Sequence, residues 1–304
     1  MADDLLLVIG ATGTQGGATA RALLARGRRF RILVRNAAAP AAAALAHQGV
    51  EVAVGDLNRP ETLRPAMQGV TGVFSVQRPD ADGSDSERRH GYALIEAALA
   101  AGVRHFVQSS VCQAGTHASF PRWQEGYWAQ KYWTDKWDVE QAVRAAGFAH
   151  WTILRPTFIM ENFTRTKAQF LYPQMRQGVI VTPVRPEAKL QLIAGADIGA
   201  FAAAALGDPT RFGGRTIDLV GDTLTMEATC ATLARALGKR LVLQSVSPAA
   251  ALQAGIPERW VRSQEWINDV GYRADDREVR NFGVPLTSLA DWAVHHAADL
   301  LIDA

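Results

Sequence analysis

The sequence predicts an α/β fold built on a doubly wound parallel sheet. Two observations lead to this prediction: short apolar runs alternate with helix-length segments through the first half of the chain, and a glycine-rich turn follows the first apolar run. Strands that alternate with helices require crossover connections, and such connections between parallel strands are right-handed. Parallel strands are buried on both faces, which explains why the apolar runs lack polar alternation.

The first half of the chain contains the more regular pattern. Apolar runs predict strands at residues 5–9, 30–34, 50–54, 72–76, 103–108 and 151–154. The segments between them predict helices at residues 18–26, 41–48, 61–67, 87–101 and 134–146. Glycines close these helices, as is typical of helix C-termini, at Gly27, Gly49, Gly69, Gly102 and Gly147.

The second half is less regular, because several prolines interrupt it after Pro156. Regular patterns return as predicted helices at residues 197–206, 226–237, 260–270 and 286–301, and as predicted strands at 216–220 and 241–246. We expect two regions: residues 1–156 form the main sheet domain, and residues 157–304 form a smaller α/β region. The two interleave, because the segment 197–220 is expected to rejoin the main sheet.

The composition argues against several classes of function. The 304 residues are 48% hydrophobic, which supports an ordinary buried core, and the net charge is +2. A net charge this small provides no large basic field, so a nucleic-acid partner is not expected. The N-terminal residues are acidic and no run of about 18 apolar residues occurs, so neither a signal peptide nor a membrane span is expected.

Cysteine and histidine usage indicates the compartment and the absence of a metal site. Cys112 and Cys230 cannot form a disulfide framework and fit a reducing compartment. Cys112 lies two residues after Ser110, and we expect it to be an inert buried thiol. The histidines show no metal-ligand spacing. We therefore expect a soluble cytoplasmic protein without a bound metal.

The segment GATGTQGG at residues 10–17 carries the clearest functional signal. It lies between a predicted strand and a predicted helix, the context in which a glycine fingerprint indicates dinucleotide binding. Glycine is needed where the backbone bends sharply or approaches a pyrophosphate, and the new helix offers N–H groups and a positive dipole end to the phosphates. The spacing is G-x-x-G-x-x-G rather than G-x-G-x-x-G. The alternative is a tight turn with no ligand.

The residue that ends the second predicted strand distinguishes between dinucleotides. An acidic residue there would accept hydrogen bonds from the adenosine ribose and favour NAD. This chain has Arg35 followed by Asn36, and a guanidinium would instead pair with a 2′-phosphate. The pattern therefore predicts NADP(H). The alternative is that Arg35 is a solvated charge at a strand end.

Further cofactor contacts are expected where the third and fourth strands end. Asp56 and Leu57 are expected to flank the adenine, although Asp56 could equally be the N-cap of the helix that follows Pro60. Val76 and Gln77 follow the fourth predicted strand and are expected to line the path of the ribose or the pyrophosphate.

A candidate catalytic set follows the fifth predicted strand. That strand ends near Ser109 and Ser110, and a strand-end serine can hold a reacting oxygen. Downstream, Tyr132 precedes Lys136 by four residues, so the two share one helical face. A nearby ammonium lowers the pKa of a tyrosine, which makes the phenol usable as a proton donor or acceptor near neutral pH. This set predicts a reductase in which Tyr132 and Lys136 handle the proton while a nicotinamide supplies hydride.

A second Y-x-x-x-K pair, Tyr127 and Lys131, overlaps the first. We prefer Tyr132 and Lys136, because Lys136 begins the segment KWDVE, which runs into a regular helix. The spacing is common by chance, so a purely structural interpretation stays open: the segment is a surface helix whose aromatic side chains pack against the protein.

Aromatic residues crowd the segment around these pairs. Tryptophans stand at positions 123, 128, 133 and 137. Together with further aromatic residues they could wall an apolar substrate pocket, to which we assign Trp128, Trp133 and Phe163. Core packing or a subunit contact, including one in a homodimer, explains the same residues nearly as well.

At these residues the sequence resembles the NmrA-like branch of the atypical short-chain dehydrogenase/reductase superfamily. The matching segments are VIGATGTQGG at residues 8–17, Asp56-Leu57, KWDVE at 136–140, LRPTFIMENF at 154–163 and ADIGA at 196–200. The resemblance implies a Rossmann domain that prefers NADP(H) and a smaller C-terminal substrate region.

The resemblance also implies roles for individual residues. It implies that the phosphate loop consists of Gly10, Thr12, Gly13, Thr14, Gln15 and Gly16. Arg35 would meet the 2′-phosphate and Lys136 would reach the nicotinamide ribose. The nicotinamide ring would be bordered by Pro156, Thr157, Phe158 and Ile159.

The members of this family divide into two functional groups. Some reduce quinones or other small carbonyl or unsaturated compounds, whereas others resemble redox sensors that bind NADP and regulate a protein partner. Because Tyr132 stands four residues before Lys136, we expect an NADPH-dependent oxidoreductase that reduces a small, fairly apolar carbonyl, quinone or imine-like substrate. The alternative is a non-catalytic NADP(H) sensor that acts through a protein partner.

Overall fold

The computed structural model describes residues 4–78 and 84–300, which fall into two compact units. The first unit is drawn from Met1–Ala114, Lys131–Arg155 and Gly195–Asp218. The second unit is drawn from Gly115–Gln130, Pro156–Ala194 and Leu219–Ala304. Each unit is therefore assembled from separate stretches of the chain.

The strands of the described residues are β1 (Leu5–Ile9), β2 (Phe30–Val34), β3 (Glu51–Val54), β4 (Val70–Ser75), β5 (His105–Ser109), β6 (His150–Pro156), β7 (Phe158–Ile159), β8 (Val179–Thr182), β9 (Lys189–Ile193), β10 (Arg215–Leu219), β11 (Asp222–Thr225) and β12 (Val242–Ser245). The helices are α1 (Thr14–Ala25), α2 (Pro40–Ala46), α3 (Leu63–Ala66), α4 (Ser86–Ala100), α5 (Gln130–Ala145), α6 (Arg165–Leu171), α7 (Gly195–Gly207), α8 (Pro209–Phe212), α9 (Met226–Leu237), α10 (Pro248–Gln253), α11 (Glu258–Asp269), α12 (Asp276–Arg280) and α13 (Leu289–His295). Short 3₁₀ turns occur at Pro60–Thr62, His117–Ser119, Met160–Phe163, Pro173–Gln177 and Ala297–Asp299.

The first unit is built on a sheet with the strand order β3-β2-β1-β4-β5-β6-β10. Strands β1 to β6 run parallel, and Val8 on the central strand lies opposite Ile32 on β2 and Phe74 on β4. This is the strand order of a doubly wound Rossmann-type sheet, and it confirms the predicted fold class. The carboxyl ends of these strands meet at one edge of the sheet, which we call the strand-end edge.

Helix α1 begins earlier than the sequence pattern indicated. It starts at Thr14, so Gly16 and Gly17 lie inside its first turns, whereas a helix was expected from residue 18. Glycine is a poor helix former, which is why the pattern placed the start later. The consequence is that the N-terminal N–H groups of α1 belong to the glycine turn itself.

Helix α7 packs tightly on α1 although the two are far apart in the sequence. A Cβ atom at Gly199 would lie 2.4 Å from the backbone carbon of Ala18. Only glycine allows two helix backbones to approach this closely. Residue 199 belongs to the ADIGA segment, so that segment helps to hold the helix that carries the glycine turn.

The second unit contains smaller sheets. Strands β11, β9 and β7 form one sheet, in which β9 pairs antiparallel with β11 and parallel with β7. Strands β12 and β8 form a parallel pair. The helices of this unit are short or medium in length. Among residues 4–78 and 84–300, no helix combines the length and the apolar character that crossing a membrane requires.

Two expectations about the organisation are wrong. Residues 115–130 belong to the second unit and not to a domain of residues 1–156, because their aromatic side chains pack there: the ring of Phe120 lies 5.6 Å from that of Trp266. The helix expected at 286–301 is shortened to α13, because Ser288 caps its start and the last described residues form a 3₁₀ turn. Residue 301 lies outside the described residues.

Candidate cofactor and active site

The glycine turn between β1 and α1 has a backbone that larger residues could not adopt. Gly10 has a φ of +68°, and its carbonyl accepts a hydrogen bond of 2.8 Å from the N–H of Gly13. A Cβ atom at Gly16 would lie 2.3 Å from the carbonyl carbon and oxygen of Gly10. The first turn of a helix leaves N–H groups without partners in the helix, and here they lie beside this close-packed turn. The turn is therefore shaped to receive an anionic group.

A cleft of about 550 Å³ opens beside the glycine turn at the strand-end edge. Its walls come from the ends of β1, β2, β3 and β4. The predicted cofactor residues among its lining are Gly10, Thr12, Gly13, Arg35, Asn36, Asp56, Leu57, Val76 and Gln77. The sheet topology thus brings together residues that the sequence assigned to the adenosine half of a dinucleotide.

Arg35 and Asn36 supply the polar rim of this cleft. Arg35 is exposed, and its guanidinium makes no ion pair within the described part of the chain. The side chain of Asn36 accepts a hydrogen bond of 2.9 Å from the N–H of Ala38, which fixes the turn after β2. A guanidinium that is exposed and unpaired is available to a phosphate, and this favours the interpretation of Arg35 as a phosphate ligand.

Asp56 is not the N-cap of the turn that follows Pro60. Its carboxylate accepts a hydrogen bond of 2.9 Å from the N–H of Asn58, and the cap position of that turn is held by Arg59 without a side-chain bond. The N–H of Asp56 donates to the hydroxyl of Thr62, at 2.9 Å. Asp56 therefore shapes the loop after β3, at the rim of the cleft.

The lining of the cleft also includes three polar residues that the sequence reasoning missed. Asn58, Arg78 and His90 contribute to its lining, and His90 Nε2 lies 2.8 Å from Asn58 Oδ1. They come from the loop after β3, the segment after β4 and the first half of α4. No local pattern links them, although Asn58 and Arg78 each follow a residue already assigned to the site.

The polar side chains at the ends of β4 and β5 are engaged with each other. Ser75 donates to the side-chain oxygen of Gln108 at 2.7 Å, Gln108 donates to Gln77 at 2.9 Å, and Gln77 donates back to Ser75 at 2.7 Å. All three residues are buried. Buried polar groups that satisfy one another are held in a single arrangement. This closed ring sets the end of β5, where the two predicted catalytic serines stand.

The two serines have different environments. The hydroxyl of Ser109 donates to the side-chain oxygen of Gln15 at 2.5 Å, so it ties β5 to the glycine turn. Ser110 is buried, its N–H donates to the carbonyl of Leu154, and its hydroxyl has no hydrogen-bond partner within the described residues. A buried hydroxyl without a partner is costly. Of the two serines, Ser110 is the one whose hydroxyl makes no hydrogen bond within the described residues.

Helix α5 brings Tyr132 and Lys136 together as the spacing predicted. The Lys136 ammonium lies 5.0 Å from the centroid of the Tyr132 ring and 2.5 Å from Oε1 of Glu87 on α4. The expectation that Lys136 lowers the pKa of Tyr132 is wrong: burial raises the pKa of Tyr132, and the Glu87 carboxylate raises it further. The phenol is therefore protonated at neutral pH. Glu87 is a further functional candidate that sequence reasoning missed.

The alternative tyrosine, Tyr127, makes its contacts with residues of the second unit. It lies before α5 begins, so it shares no helical face with Lys131. Its hydroxyl donates to Glu265 at 2.7 Å, and its ring is covered by the guanidinium of Arg122, at 3.0 Å, and that of Arg262, at 3.7 Å. Burial and the bond to Glu265 raise its pKa. Tyr127 serves the packing of the second unit.

The KWDVE and LRP segments meet through a buried ion pair. Arg155 donates to both carboxylate oxygens of Glu140, at 2.9 and 2.7 Å, and Arg144 donates to the same carboxylate at 2.9 Å. Glu140 is fully buried. This two-point contact fixes α5, the helix that carries Lys136, against β6.

The residues expected to border a nicotinamide begin the second unit. Thr157 is buried and donates both its N–H and its hydroxyl to the carbonyl of Leu219, at 3.1 and 2.9 Å. Phe158 is buried against the ring of Phe163, with centroids 5.5 Å apart, whereas Ile159 is partly exposed. Pro156 ends β6 and is buried. These contacts fix the backbone that follows β6.

The three residues expected to contact substrate are all buried. Phe163 has no exposed surface and stacks on Tyr172, with centroids 5.5 Å apart. Trp128 donates its Nε1–H to the carbonyl of Pro121 at 2.5 Å, and Trp133 packs edge-on against Tyr132. Their contacts support packing as their main role. Within the described residues, no group of three histidine, cysteine, aspartate or glutamate side chains is arranged to hold a metal ion.

A Rossmann-type sheet with a glycine turn at the start of its first helix and an arginine after β2 is typical of proteins that bind a dinucleotide. A model of the NmrA-like family matches residues 2–300, and the chain belongs to that family. A relative from Xenophilus azovorans, an NAD(P)H azoreductase, is 30% identical over 280 residues, which cover 84% of this chain and 92% of the relative.

Solved structures support the same fold. Citrobacter sp. triphenylmethane reductase, crystallised with NADP(H), has a TM-score of 0.79 at 24% identity and covers 97% of this chain and 99% of its own. The Escherichia coli NADPH-dependent quinone oxidoreductase, crystallised with NADPH, has a TM-score of 0.76 at 24% identity and covers 96% of this chain and 99% of its own. The chain thus resembles named oxidoreductases over nearly its whole length.

Proposed function

We propose that this protein is an NADPH-dependent oxidoreductase that reduces a small, fairly apolar carbonyl, quinone or imine-like compound. The observation that carries the proposal is the glycine turn with its adjoining cleft, in which an unpaired arginine follows β2. The azoreductase relative, whose name states a reductase activity with the same cofactor, supports it.

The residues at the strand-end edge fit NADP(H). The turn at Gly10 to Gly16 would hold the pyrophosphate, because glycine at position 16 lets the start of α1 pack against the Gly10 carbonyl, so the N–H groups of the first helical turn lie next to the glycine turn. Arg35 and Asn36 would hold the 2′-phosphate, and Asp56 and Leu57 would flank the adenine. Lys136 would contact the nicotinamide ribose. When bound, NADPH supplies the hydride.

The chain's own residues would then orient the acceptor and provide the proton. The buried hydroxyl of Ser110 would donate a hydrogen bond to the acceptor atom that becomes negative during reduction. Tyr132 would act as a neutral phenol that donates, and not as a phenolate base, because its pKa is raised. A reduction needs a donor in its acid form, so this state suits the reductive direction.

The experiment is a turnover assay with a panel of quinones, aldehydes and azo dyes, following NADPH consumption. We expect turnover with at least one class. Tyr132→Phe is expected to lower kcat by about 100-fold while leaving the Kd for NADPH unchanged, since only a hydroxyl is removed. Tyr127→Phe is the matched control and is expected to leave kcat within about two-fold, because Tyr127 is bound to Glu265.

One result would decide against the proposed activity, and a second would decide only against the role of Tyr132. Tight NADPH binding without turnover on the whole panel would support the alternative of a non-catalytic NADP(H) sensor with a protein partner. Equal kcat for Tyr132→Phe and the unmodified protein would remove Tyr132 from the mechanism and leave Lys136 and Ser110 as the remaining candidates.

A further inference from the structure

Lys136 of the Y-x-x-x-K pair forms a buried ion pair with Glu87, a residue that lies outside every sequence motif of the site. Glu87 is 2% exposed and Lys136 is 8% exposed. The lysine ammonium has the carboxylate at 2.5 Å on one side and the Tyr132 ring, with its centroid at 5.0 Å, on another. A lysine side chain has several rotatable bonds, and these two neighbours restrict the position of its ammonium.

This pair is not arranged as a simple clamp between helices α4 and α5. Oε2 of Glu87 is buried and has no hydrogen-bond partner among residues 4–78 and 84–300. By contrast, both oxygens of Glu140 on the same helix α5 accept hydrogen bonds from arginines. Burying a charge pair gives little net stability unless its remaining lone pairs are satisfied. A pair kept only for stability would be expected to resemble that of Glu140.

The two helices already have another ionic link. Arg88, the residue after Glu87, reaches Asp138 on α5 at 3.3 Å, and both side chains are 37% exposed. That pair spans the same helix junction without a buried charge. The helix junction thus has an ionic link that buries no charge, and the distinctive effect of Glu87 is on the position of the Lys136 ammonium.

We infer that Glu87 is a positioning residue for Lys136: it fixes the ammonium at the strand-end edge, where the cofactor's ribose and the acceptor would meet it. The inference rests on the proposed function, because that function assigns Lys136 to the nicotinamide ribose. Glu87 acts through Lys136 and is not assigned a contact with the reacting atoms.

Protonation of Glu87 would release Lys136. Burial raises the pKa of Glu87, while the facing Lys136 lowers it and the nearby Asp135 raises it. The same carboxylate raises the pKa of the neighbouring Tyr132. As the pH falls through the raised pKa of Glu87, the carboxyl loses its charge and the ammonium loses its partner. We therefore expect kcat to fall as the pH falls through this range, which gives the pH–rate profile an acid limb.

The test compares Glu87→Gln and Glu87→Asp with the control Arg88→Gln. Gln keeps the shape of the side chain but mimics the protonated carboxyl, so kcat should fall by roughly 10- to 100-fold and the acid limb should vanish. Asp keeps the charge one methylene further away and should give an intermediate kcat. Arg88→Gln breaks only solvent-exposed ion pairs, those of Arg88 with Asp138 and with Asp85, so kcat should stay within about two-fold. Circular dichroism and melting curves check that each variant folds.

A double-mutant cycle supplies a readout besides turnover. Lys136→Met, Glu87→Gln and the double variant are compared in calorimetric titrations with NADPH. If Glu87 acts through Lys136, adding Glu87→Gln to Lys136→Met should change the Kd by less than two-fold, although Glu87→Gln alone weakens binding. Additive effects would overturn the inference.

The outcomes separate the two proposals. No turnover by the unmodified protein, together with a non-additive cycle, would reject the reductase and keep the positioning role. Turnover together with additive effects in the cycle would keep the reductase and reject the positioning role. The same conclusion would follow if the unmodified protein turns over and Glu87→Gln matches it in kcat, Kd and pH profile.

Discussion

The two halves of the strand-end edge in the first unit differ in how their polar side chains are engaged. At the ends of β1, β2 and β3 the side chains surround an open cleft, and Arg35 is exposed and unpaired within the described chain. At the end of β5 and on α5, two of the candidate polar side chains are buried and already paired, Ser109 with Gln15 and Lys136 with Glu87. We call these the adenosine half and the acceptor half.

The difference indicates how each half would meet a ligand. The adenosine half can take a phosphate without breaking an existing contact. In the acceptor half, the hydrogen bond between Ser109 and Gln15 links the glycine turn to the end of β5. A ligand that settles in the turn therefore acts directly on a residue beside Ser110. Binding in one half would organise the other.

The largest expected loss of cofactor affinity comes from a substitution in the glycine turn, which adjoins the adenosine half and is bonded to the acceptor half through Gln15 and Ser109. In Gly16→Ala the new methyl group would overlap the carbonyl of Gly10, so the turn must shift. We expect NADPH affinity to fall by about 100-fold or more, equivalent to about 2.7 kcal/mol, in calorimetric titrations. The control is Gly207→Ala, whose Cβ would meet only the end of the Arg28 side chain at 3.4 Å. Retained affinity in Gly16→Ala would contradict the assigned turn.

A smaller effect, confined to the adenosine half, is expected for Arg35→Gln. Loss of a charge-assisted contact to a 2′-phosphate should weaken NADPH binding by roughly 20-fold, while NADH binding should change by less than about two-fold. Arg59→Gln removes an equally exposed arginine that does not line the cleft and should affect neither cofactor. Equal losses for NADPH and NADH would show that Arg35 does not read the phosphate.

Within the acceptor half, the two serines should respond differently. Ser110→Ala removes the hydroxyl that has no partner in the described chain and should lower kcat by about 10-fold. Ser109→Ala removes the bond to Gln15 and should lower kcat by less than about three-fold, with a loss of roughly 1 kcal/mol in the free energy of unfolding. The reverse order of kcat values would exchange the roles of the two serines.

At the other end of the parallel strands, where the strands begin, titration of a histidine should change the free energy of unfolding without changing cofactor binding. Burial and, to a lesser extent, the neighbouring His150 together lower the pKa of His105, at the start of β5, to about 4. The unfolded chain therefore binds more protons between pH 6.5 and pH 4, so stability falls as the pH falls through this window. Between pH 7 and 5.5 the loss should be about 1 kcal/mol in urea unfolding, and His105→Leu should remove this dependence. An unchanged slope in His105→Leu would exclude His105 as its source.

The sequence predicts the adenosine half better than the acceptor half, for a physical reason. Gly10, Gly16 and Arg35 are defined by local spacing, because a strand, its turn and the next strand end lie close together in the chain. Glu87 is 49 residues from Lys136, and His90 is 32 residues from Asn58. Such partners are set by the packing of α4 on the rest of the unit, which leaves no periodic signal.

The pKa of Tyr132 illustrates the same limit. The four-residue spacing correctly placed its ring near Lys136, since helical geometry alone decides that contact. The direction of the pKa shift depended on burial and on Glu87, neither of which the spacing contains. Likewise, Tyr127 has the right spacing to Lys131, but the helix begins only at Gln130.

The close contact between α7 and α1 has a consequence for the order of synthesis. The helix that starts at the glycine turn is covered by a helix in which Gly199 lies, and the sheet is extended by β10, which ends at Leu219. When a ribosome has translated only the first half of the chain, every residue of the glycine turn has been synthesised. Helix α7, which packs on α1, has not. We expect nascent chains arrested before α7 to leave this turn sensitive to protease.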